Sequence, residues 1–350
     1  MKKILMIAEN IHTHGGIQRV IQNLSASMED KGWNVDYLDS TNISSTKILK
    51  KSIPNLIELS RWLHQNKYDA YHIHGFSSFL IFCCALFIPK NRVIYNPHWH
   101  PFRHHDHPVF AGVFYYIFSR WIIKKFHCVI VQTKYEADFF KEVGKNINII
   151  PSGIEIEEIT IVDPTNEKNE MIFVGRDDAN KRLDFIELIQ DEILSRGFKI
   201  KVVTNKTKKD TAAIKYYKNL KDDELSTLYQ NAKYLVMSSK YESLGLVALE
   251  ALSRGCMVIA SDRVMLKEFC KGKDFFTVFK YGNKENFLEV FDQMINKSGI
   301  ELKEIQLEGI EFANKFNQES SYDGYSKIYK QCINQSKNER NFTKVLVKFK

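Results

Sequence analysis

Two kinds of segment follow each other along the chain. Short apolar runs are typical of buried parallel strands, and most are followed by a stretch with apolar residues at helical spacing. The predicted strands are 4–8, 35–38, 68–74, 91–96, 128–132, 147–150, 171–174, 200–204, 213–216, 234–237, 257–260 and 275–278. The predicted helices are 17–31, 76–88, 109–126, 135–143, 183–195, 222–231, 246–252, 284–296, 301–316 and 320–335, and 41–66 is predicted as a polar loop and a helix. This alternation predicts an α/β protein with parallel sheets covered by helices.

The length of 350 residues predicts two domains. A polar, acidic segment with one proline follows Glu155, which is typical of a linker between domains. We therefore place the first domain at 1–157, the linker at 158–170 and the second domain at 171–315. A C-terminal helix follows at 316–335, and a basic tail at 336–350.

Composition excludes several classes of protein. The chain is 44% hydrophobic and 26% charged, as ordinary globular proteins are, and its opening apolar run is too short for an export signal. Its six cysteines lack metal-binding spacing, so we expect reduced core residues of a cytoplasmic protein. The net charge of +8 is concentrated in 1–150 and 336–350, which could face solvent, an anionic substrate or an anionic membrane surface. No nucleic-acid-binding signature is present, so nucleic acid is not an expected partner.

Two carboxylates eight residues apart, Glu242 and Glu250, flank the predicted start of helix 246–252. A helix that begins after Gly245 directs free N–H groups and its positive end at the carboxyl edge of the sheet, where anions bind. The two carboxylates would be about 10 Å apart. Such a site suits a ligand with a phosphate between two hydroxyl-bearing ends. The turn Ser243-Leu244-Gly245 and the first helical residue, Leu246, lie between the two carboxylates. The alternative is that an acidic residue early in a helix only stabilises the helix dipole.

A glycine and two cations stand between strand 171–174 and helix 183–195: Gly175, Arg176 and Lys181. Two cations can neutralise a diphosphate without a metal ion, and arginine can bind it with two hydrogen bonds. Basic loops are common, but this one shares its domain with Glu242 and Glu250. The combination predicts a diphosphate site, and we expect neither a metal nor a cofactor.

Gly15 and Gly16 precede the first helix, so the backbone there could approach a phosphate or a sugar. Arg19 follows one turn into the helix. A plain glycine turn is the alternative.

Five histidines lie in 98–107, directly after strand 91–96. A metal cluster is one interpretation. We favour a substrate loop, because active sites of α/β proteins lie at the carboxyl ends of strands. His98 is the nearest to the strand end and is the one expected in the site.

Aromatic residues and flanking lysines mark 109–126. This pattern is typical of a helix inserted at a membrane interface, or of a core helix with a basic end.

Several stretches, taken in order, resemble the retaining, nucleotide-sugar-dependent glycosyltransferases of the GT-B type, family 4. They are Gly15–Val20, Tyr95–Trp99, Ile150–Glu155, Phe173–Arg176 with Lys181, Asp223–Tyr229 and Ser238–Asp262, within about residues 1–270. The resemblance implies two Rossmann-like domains facing a central cleft, with the C-terminal helix crossing back to the first domain. The acceptor would bind mainly to the first domain and the donor to the second.

The resemblance also implies a role for each candidate residue. Arg176 and Lys181 would hold the donor diphosphate, and Glu250 would bind the ribose hydroxyls. Glu242 would contact the transferred sugar, with the backbone of Leu244–Leu246 near its hydroxyls and the phosphate. Gly16 would lie beneath the diphosphate and His98 beside the reacting sugar. Two departures stand out. Arg182 occupies a position where the family usually has glycine, and Thr204-Asn205-Lys206 replaces a glycine-rich turn.

The function implied is metal-independent, retaining transfer of a hexose from a UDP- or GDP-sugar to a hydroxyl of a glycan or lipid-linked acceptor. Polysaccharide or lipopolysaccharide assembly for the cell envelope would be its setting, in the cytoplasm or peripherally at the inner face of the membrane. Two alternatives stay open: a catalytically inactive GT-B partner or carbohydrate-binding subunit, and a nucleotide-sugar 2-epimerase. The sequence leaves the oligomeric state open.

Overall fold

The computed structural model of the chain describes residues 2–11, 15–48, 51–75, 79–98, 121–143, 146–156 and 169–348. The chain divides into two compact units. Unit 1 comprises Met1–Gly153 and Gln318–Lys350, and unit 2 comprises Ile154–Asn317. Most of the predicted linker, 158–168, lies outside the described residues.

Unit 1 is built on a six-stranded, wholly parallel sheet. Its elements are β1 (Lys3–Ile7), α1 (Gly16–Asp30), β2 (Asn34–Leu38), β3 (Ser45–Ile48), β4 (Lys51–Pro54), α2 (Leu56–Gln65), β5 (Ala70–His74), α3 (Phe79–Phe87), β6 (Val93–Asn96), β7 (Cys128–Val131), α4 (Lys134–Lys141) and β8 (Ile147–Ile149). The strand order is β2-β1-β5-β6-β7-β8. Every residue of β5, β6 and β7 is buried, as expected for strands covered by helices on both faces.

The loop predicted before the helix in 41–66 contains a hairpin instead. Strands β3 and β4 pair antiparallel, with Ser45 opposite Pro54. The prediction was wrong because four-residue strands are too short to establish an alternating pattern.

Unit 2 has a second six-stranded, parallel sheet. Its elements are β9 (Glu170–Val174), α5 (Leu183–Ser195), β10 (Lys199–Val203), β11 (Ile214–Tyr217), α6 (Asp222–Asn231), β12 (Tyr234–Met237), α7 (Leu246–Ser253), β13 (Met257–Ser261), β14 (Phe276–Phe279), α8 (Lys284–Ile295) and α9 (Gly299–Asn314). The strand order is β11-β10-β9-β12-β13-β14. The two parallel sheets confirm the prediction of two Rossmann-like domains.

The chain then returns to unit 1 as α10 (Gln318–Lys348). Tyr322, Tyr325 and Tyr329 are buried on one face of the unit 1 sheet, in the same apolar cluster as residues of α1. A Cβ on Gly324 would lie 2.9 Å from Cγ2 of Ile150, so this glycine permits a close approach. The crossing of the helix to the first unit is confirmed. The helix also continues to Lys348, whereas we predicted its end at 335 and a separate tail.

The six cysteines are buried and free, as predicted. Within the described ranges, no helix is long and apolar enough to cross a membrane. Residues 109–120 of the aromatic segment and 99–107 of the histidine segment lie outside the described residues.

Candidate functional site

The strand order of unit 2 reverses between β9 and β12. From β9 the chain continues to β10 and β11 on one side, while β12 leads to β13 and β14 on the other. Ligands of open α/β sheets bind outside the carboxyl ends of the strands at such a switch point. The loop after β9 contains Gly175, Arg176 and Lys181, and the loop after β12 contains Glu242. The sheet topology therefore brings these loops to one place.

Hydrogen bonds fix the loop after β9. Oδ1 of Asp178 accepts from the backbone N–H of Asn180 at 3.0 Å and of Lys181 at 2.9 Å. The hydroxyl of Ser238, at the end of β12, lies 2.9 Å from the carbonyl oxygens of both Lys181 and Arg182. Asn180 adds two links, because its carbonyl accepts from Lys240 N–H at 2.7 Å and its side chain donates to the carbonyl of Tyr241 at 3.0 Å. The sequence reasoning missed Asp178, Asn180 and Ser238 as supports of the site.

Lys181 and Glu242 form an ion pair, with Nζ 2.5 Å from Oε1. Their side chains are 17% and 18% exposed, so the pair is largely shielded from water. The backbone of Glu242 is held as well: its N–H donates to the carbonyl of Arg263 at 3.1 Å, and its carbonyl accepts from Met265 at 2.9 Å. Two predicted site residues that are far apart in sequence are thus in direct contact.

Helix α7 begins beside this pair. Gly245, its N-cap, has φ 74, in the left-handed region that favours glycine. Ser243 has a buried hydroxyl oxygen without a hydrogen-bond partner among the described residues. Leu244 is buried, Leu246 is the first helical residue, and Glu250 lies one turn further along with 8% exposure. The arrangement places a helix N-terminus and a buried hydroxyl close in sequence to the ion pair, which suits an anionic ligand with hydroxyl groups.

Arg176 pairs with a carboxylate of its own loop. Its guanidinium is 3.1 Å from Asp178, and its side chain is 69% exposed. Gly175 lies directly against the side chain of Lys181. A Cβ at this position would be only 3.2 Å from the methylene groups of the lysine. Gly175 thus supports Lys181 by giving its side chain room.

The two departures from the family pattern have structural explanations. Arg182 has φ 58, the left-handed region in which glycine is the residue without strain. Its guanidinium pairs with Asp184 and donates to the hydroxyl of Tyr281 at 2.7 Å, which holds it in place. In the second departure, Oδ1 of Asn205 accepts from the N–H of Asp177 at 2.9 Å, so this turn is joined to the loop after β9.

Unit 1 has its own switch point, between β1 and β5. After β1, α1 begins at Gly16, which is exposed and has open space where a Cβ would be. Gly15 is its N-cap, and Arg19 is half-buried one turn in. These positions leave Gly16 accessible to a ligand, and the roles of all three residues stay predictions.

Histidines occupy the other side of this switch point. His98, after β6, has φ 59, and its Nε2 lies 2.8 Å from Nδ1 of His74, the last residue of β5. His72 lies on the same face of β5, with its ring centroid 3.8 Å from that of His74 and its Nδ1 2.6 Å from the hydroxyl of Tyr329. Burial lowers the pKa of His98 to about 3 and the pKa values of His72 and His74 well below their usual range. All three imidazoles are therefore neutral at pH 7.

His72 and His74 alternate with other residues along β5, and this pattern could have predicted their contact from the sequence. Residues two apart on a strand share a face, so His72 and His74 had to lie together in a buried strand.

Comparison with known proteins gives family matches in both units. The model of Glycosyltransferase Family 4 matches residues 14–158, and that of Glycosyl transferases group 1 matches residues 204–311. The chain is also 27% identical over 362 residues to an uncharacterized 41.2 kDa protein in a cps region of Klebsiella pneumoniae, covering 93% of this chain and 99% of the relative.

Solved structures show the same fold at low identity. Sucrose-phosphate synthase from Thermosynechococcus elongatus aligns with a TM-score of 0.75 at 15% identity, over 95% of this chain and 99% of that one. HepE from Anabaena, in complex with UDP and glucose, aligns with a TM-score of 0.69 at 13% identity, over 95% and 100%.

Proposed function

Because the chain belongs to glycosyltransferase family 4, the group 1 glycosyl transferases, we propose that it transfers a hexose from a nucleoside-diphosphate sugar to a hydroxyl group. The anomeric configuration would be retained. The acceptor would be a glycan or a lipid-linked sugar. This proposal rests mainly on the contact between Lys181 and Glu242. The two residues follow β9 and β12, at the switch point of the unit 2 sheet, and Glu242 precedes the start of α7.

The difficult step is the departure of the diphosphate, on which negative charge increases as the bond to the sugar breaks. Lys181 and the N–H groups at the start of α7 would stabilise that charge, and Arg176 could add a second cation from its exposed position. Removing one preorganised donor of this kind typically lowers the rate about 10²- to 10³-fold. These groups supply the positive charge from the protein, so the proposed reaction needs no metal ion.

The two carboxylates would bind opposite ends of the donor. Glu242 would leave Lys181 and accept hydrogen bonds from hydroxyls of the transferred sugar, while Glu250 would accept them from the ribose. The Ser243 hydroxyl, buried without a described partner, is free to bond to the ligand. Neither carboxylate serves as an acid or base in this scheme, because the leaving phosphate would take the proton of the acceptor.

Two relatives support the choice of substrates. HepE was crystallised with UDP and glucose, which favours a UDP-hexose as the donor, with a GDP-sugar as the alternative. The relative in a cps region favours capsule or another envelope polysaccharide as the product. Lipopolysaccharide as the product and association with a membrane surface rest on the sequence patterns alone.

To test the proposal, the purified protein is incubated with a panel of UDP- and GDP-sugars, and both the released nucleoside diphosphate and any change of the sugar are measured. We expect slow hydrolysis of one donor, and little or none in Lys181→Ala. Near-normal release by Lys181→Ala would contradict the diphosphate role of Lys181. No release from any donor would favour an inactive binding subunit, and a change of the sugar without release would favour an epimerase.

A further inference from the structure

The contact between His74 and His98 determines where each proton lies. Nδ1 of His74 and Nε2 of His98 are 2.8 Å apart, and both imidazoles are neutral, so one nitrogen carries a proton and the other accepts it. His74 is 1% exposed, and its other nitrogen, Nε2, has no hydrogen-bond partner among the described residues. The two possible tautomers of His74 therefore differ at Nε2. If the proton is on Nδ1, Nε2 is left with an unpaired lone pair; if the proton is on Nε2, that N–H is left without an acceptor.

A buried N–H without an acceptor is rarer in proteins than a buried acceptor without a donor. The favoured arrangement therefore has the proton of His74 on Nδ1, from which it donates to Nε2 of His98. Since a neutral imidazole carries one proton, that of His98 must be on Nδ1.

We propose that His74 is a positioning residue that holds His98 in the tautomer with its proton on Nδ1, so that His98 presents an N–H donor to the substrate. The inference rests on the proposed function for the identity of that substrate. A donor suits a sugar hydroxyl oxygen or developing negative charge, whereas the other tautomer would offer a lone pair and could act as a base. His98 thus binds an oxygen of the substrate and does not remove a proton from it.

Backbone geometry supports this role. A left-handed conformation is unfavourable for a residue other than glycine, and His98 adopts it. A residue persists in this conformation where several contacts with its surroundings hold it there. Residues of this kind cluster at functional sites. The bond from His74 is one contact that fixes His98 in this way.

His74 is itself supported from α10. Its ring contacts that of His72, and Nδ1 of His72 is bonded to the hydroxyl of Tyr329. The series Tyr329–His72–His74–His98 thus connects the C-terminal helix with the candidate site residue inside unit 1.

The direct test is nitrogen-15 NMR of the histidine rings in the full-length protein, which distinguishes a protonated Nδ1 from a protonated Nε2. The His98 signals are those that disappear in His98→Gln. We expect a protonated Nδ1 on His98 in the wild type. A protonated Nε2 on His98 would overturn the proposal, and this result does not depend on any activity.

Variants of His74 test the positioning role. His74→Phe keeps a ring but removes the donor, whereas His74→Asn keeps an N–H close to the position of Nδ1. With the active donor, we expect kcat to fall about 10- to 100-fold in His74→Phe with little change in KM, because misplacing one group by about 1 Å has effects of this size. His74→Asn should retain kcat within about threefold of the wild type and keep the tautomer of His98.

An unchanged tautomer and kcat in His74→Phe would contradict the proposal. So would a His74→Asn variant no more active than His74→Phe, because packing alone would then explain the loss. If the wild-type protein turns over no donor, the proposed function fails, while the NMR measurement still decides the tautomer of His98.

Discussion

Replacing Glu242 by glutamine should strengthen the binding of a nucleoside diphosphate while it lowers turnover. In the unliganded protein Glu242 neutralises Lys181, and a diphosphate must compete with this carboxylate for the lysine. Glutamine preserves the size of the side chain and removes its charge. The Glu242→Gln variant therefore leaves Lys181 available to the diphosphate and removes a repulsive charge, but it weakens contacts to the transferred sugar.

The size of the effect can be estimated from the charges of the pair and their partial exposure to water. Two unit charges about 4 Å apart attract by about 4 kcal/mol at an effective dielectric constant of about 20. The loss of hydration on pairing offsets much of this, and the residual exposure of 17% and 18% weakens it further. A net coupling of about 1 kcal/mol remains, which corresponds to a roughly fivefold lower Kd for the diphosphate.

The Kd can be measured by calorimetric titration at low salt. The titrant is UDP, or GDP if the donor panel identifies a GDP-sugar as the donor. Asp292→Asn is a matched control, because Asp292 also forms an ion pair at 2.5 Å in unit 2, with Arg196, and lies outside the candidate site. The control should leave the Kd unchanged. An unchanged or weaker affinity in Glu242→Gln would refute the competition between carboxylate and diphosphate.

Three further predictions concern stability. Arg182→Ala should be about 1 kcal/mol less stable than Arg182→Gly by thermal denaturation, because both lose the same contacts and only alanine is strained at φ 58; equal stabilities would argue against strain. Gly324→Ala should destabilise unit 1 by about 1 kcal/mol, because the overpacking against Ile150 exceeds the gain in helix propensity. Urea unfolding followed by tryptophan fluorescence reports this, since all four tryptophans are in unit 1, and a more stable variant would contradict it. The same assay should show unit 1 losing about 4 kcal/mol between pH 7.5 and pH 5.5. His72, His74 and His98 all have folded pKa values far below 6.5, so the unfolded state binds more protons and each of the three histidines contributes about 1.4 kcal/mol of loss; a flat profile would show that they are not held as neutral rings.

Local patterns predicted most of the fold. Helices α5 and α6 begin and end at the predicted residues, since apolar periodicity and polar flanking residues both mark their limits. The β3–β4 hairpin was missed because its strands are too short for such a pattern. The C-terminal helix was predicted to end too early because residues 334–341 are all polar and interrupt the apolar periodicity along it.

The candidate site was predictable residue by residue but not as a set of contacts. The glycine and charge pattern identified Lys181 and Glu242, yet their ion pair depends on β9 and β12 being neighbours, which is a property of the whole sheet. Arg176 was predicted to bind the diphosphate together with Lys181, and its ion pair with Asp178 is a contact that the sequence pattern did not show. The bond from His74 to His98 depends in the same way on the pairing of β5 with β6.

Hydrogen–deuterium exchange of the wild-type protein, with and without the nucleotide that binds, tests most directly whether the donor binds at the Lys181–Glu242 pair. We expect slower exchange in two segments, 175–182 and 238–250, when the nucleotide is present. Unchanged exchange in both segments, with protection elsewhere in the chain, would contradict donor binding at this pair.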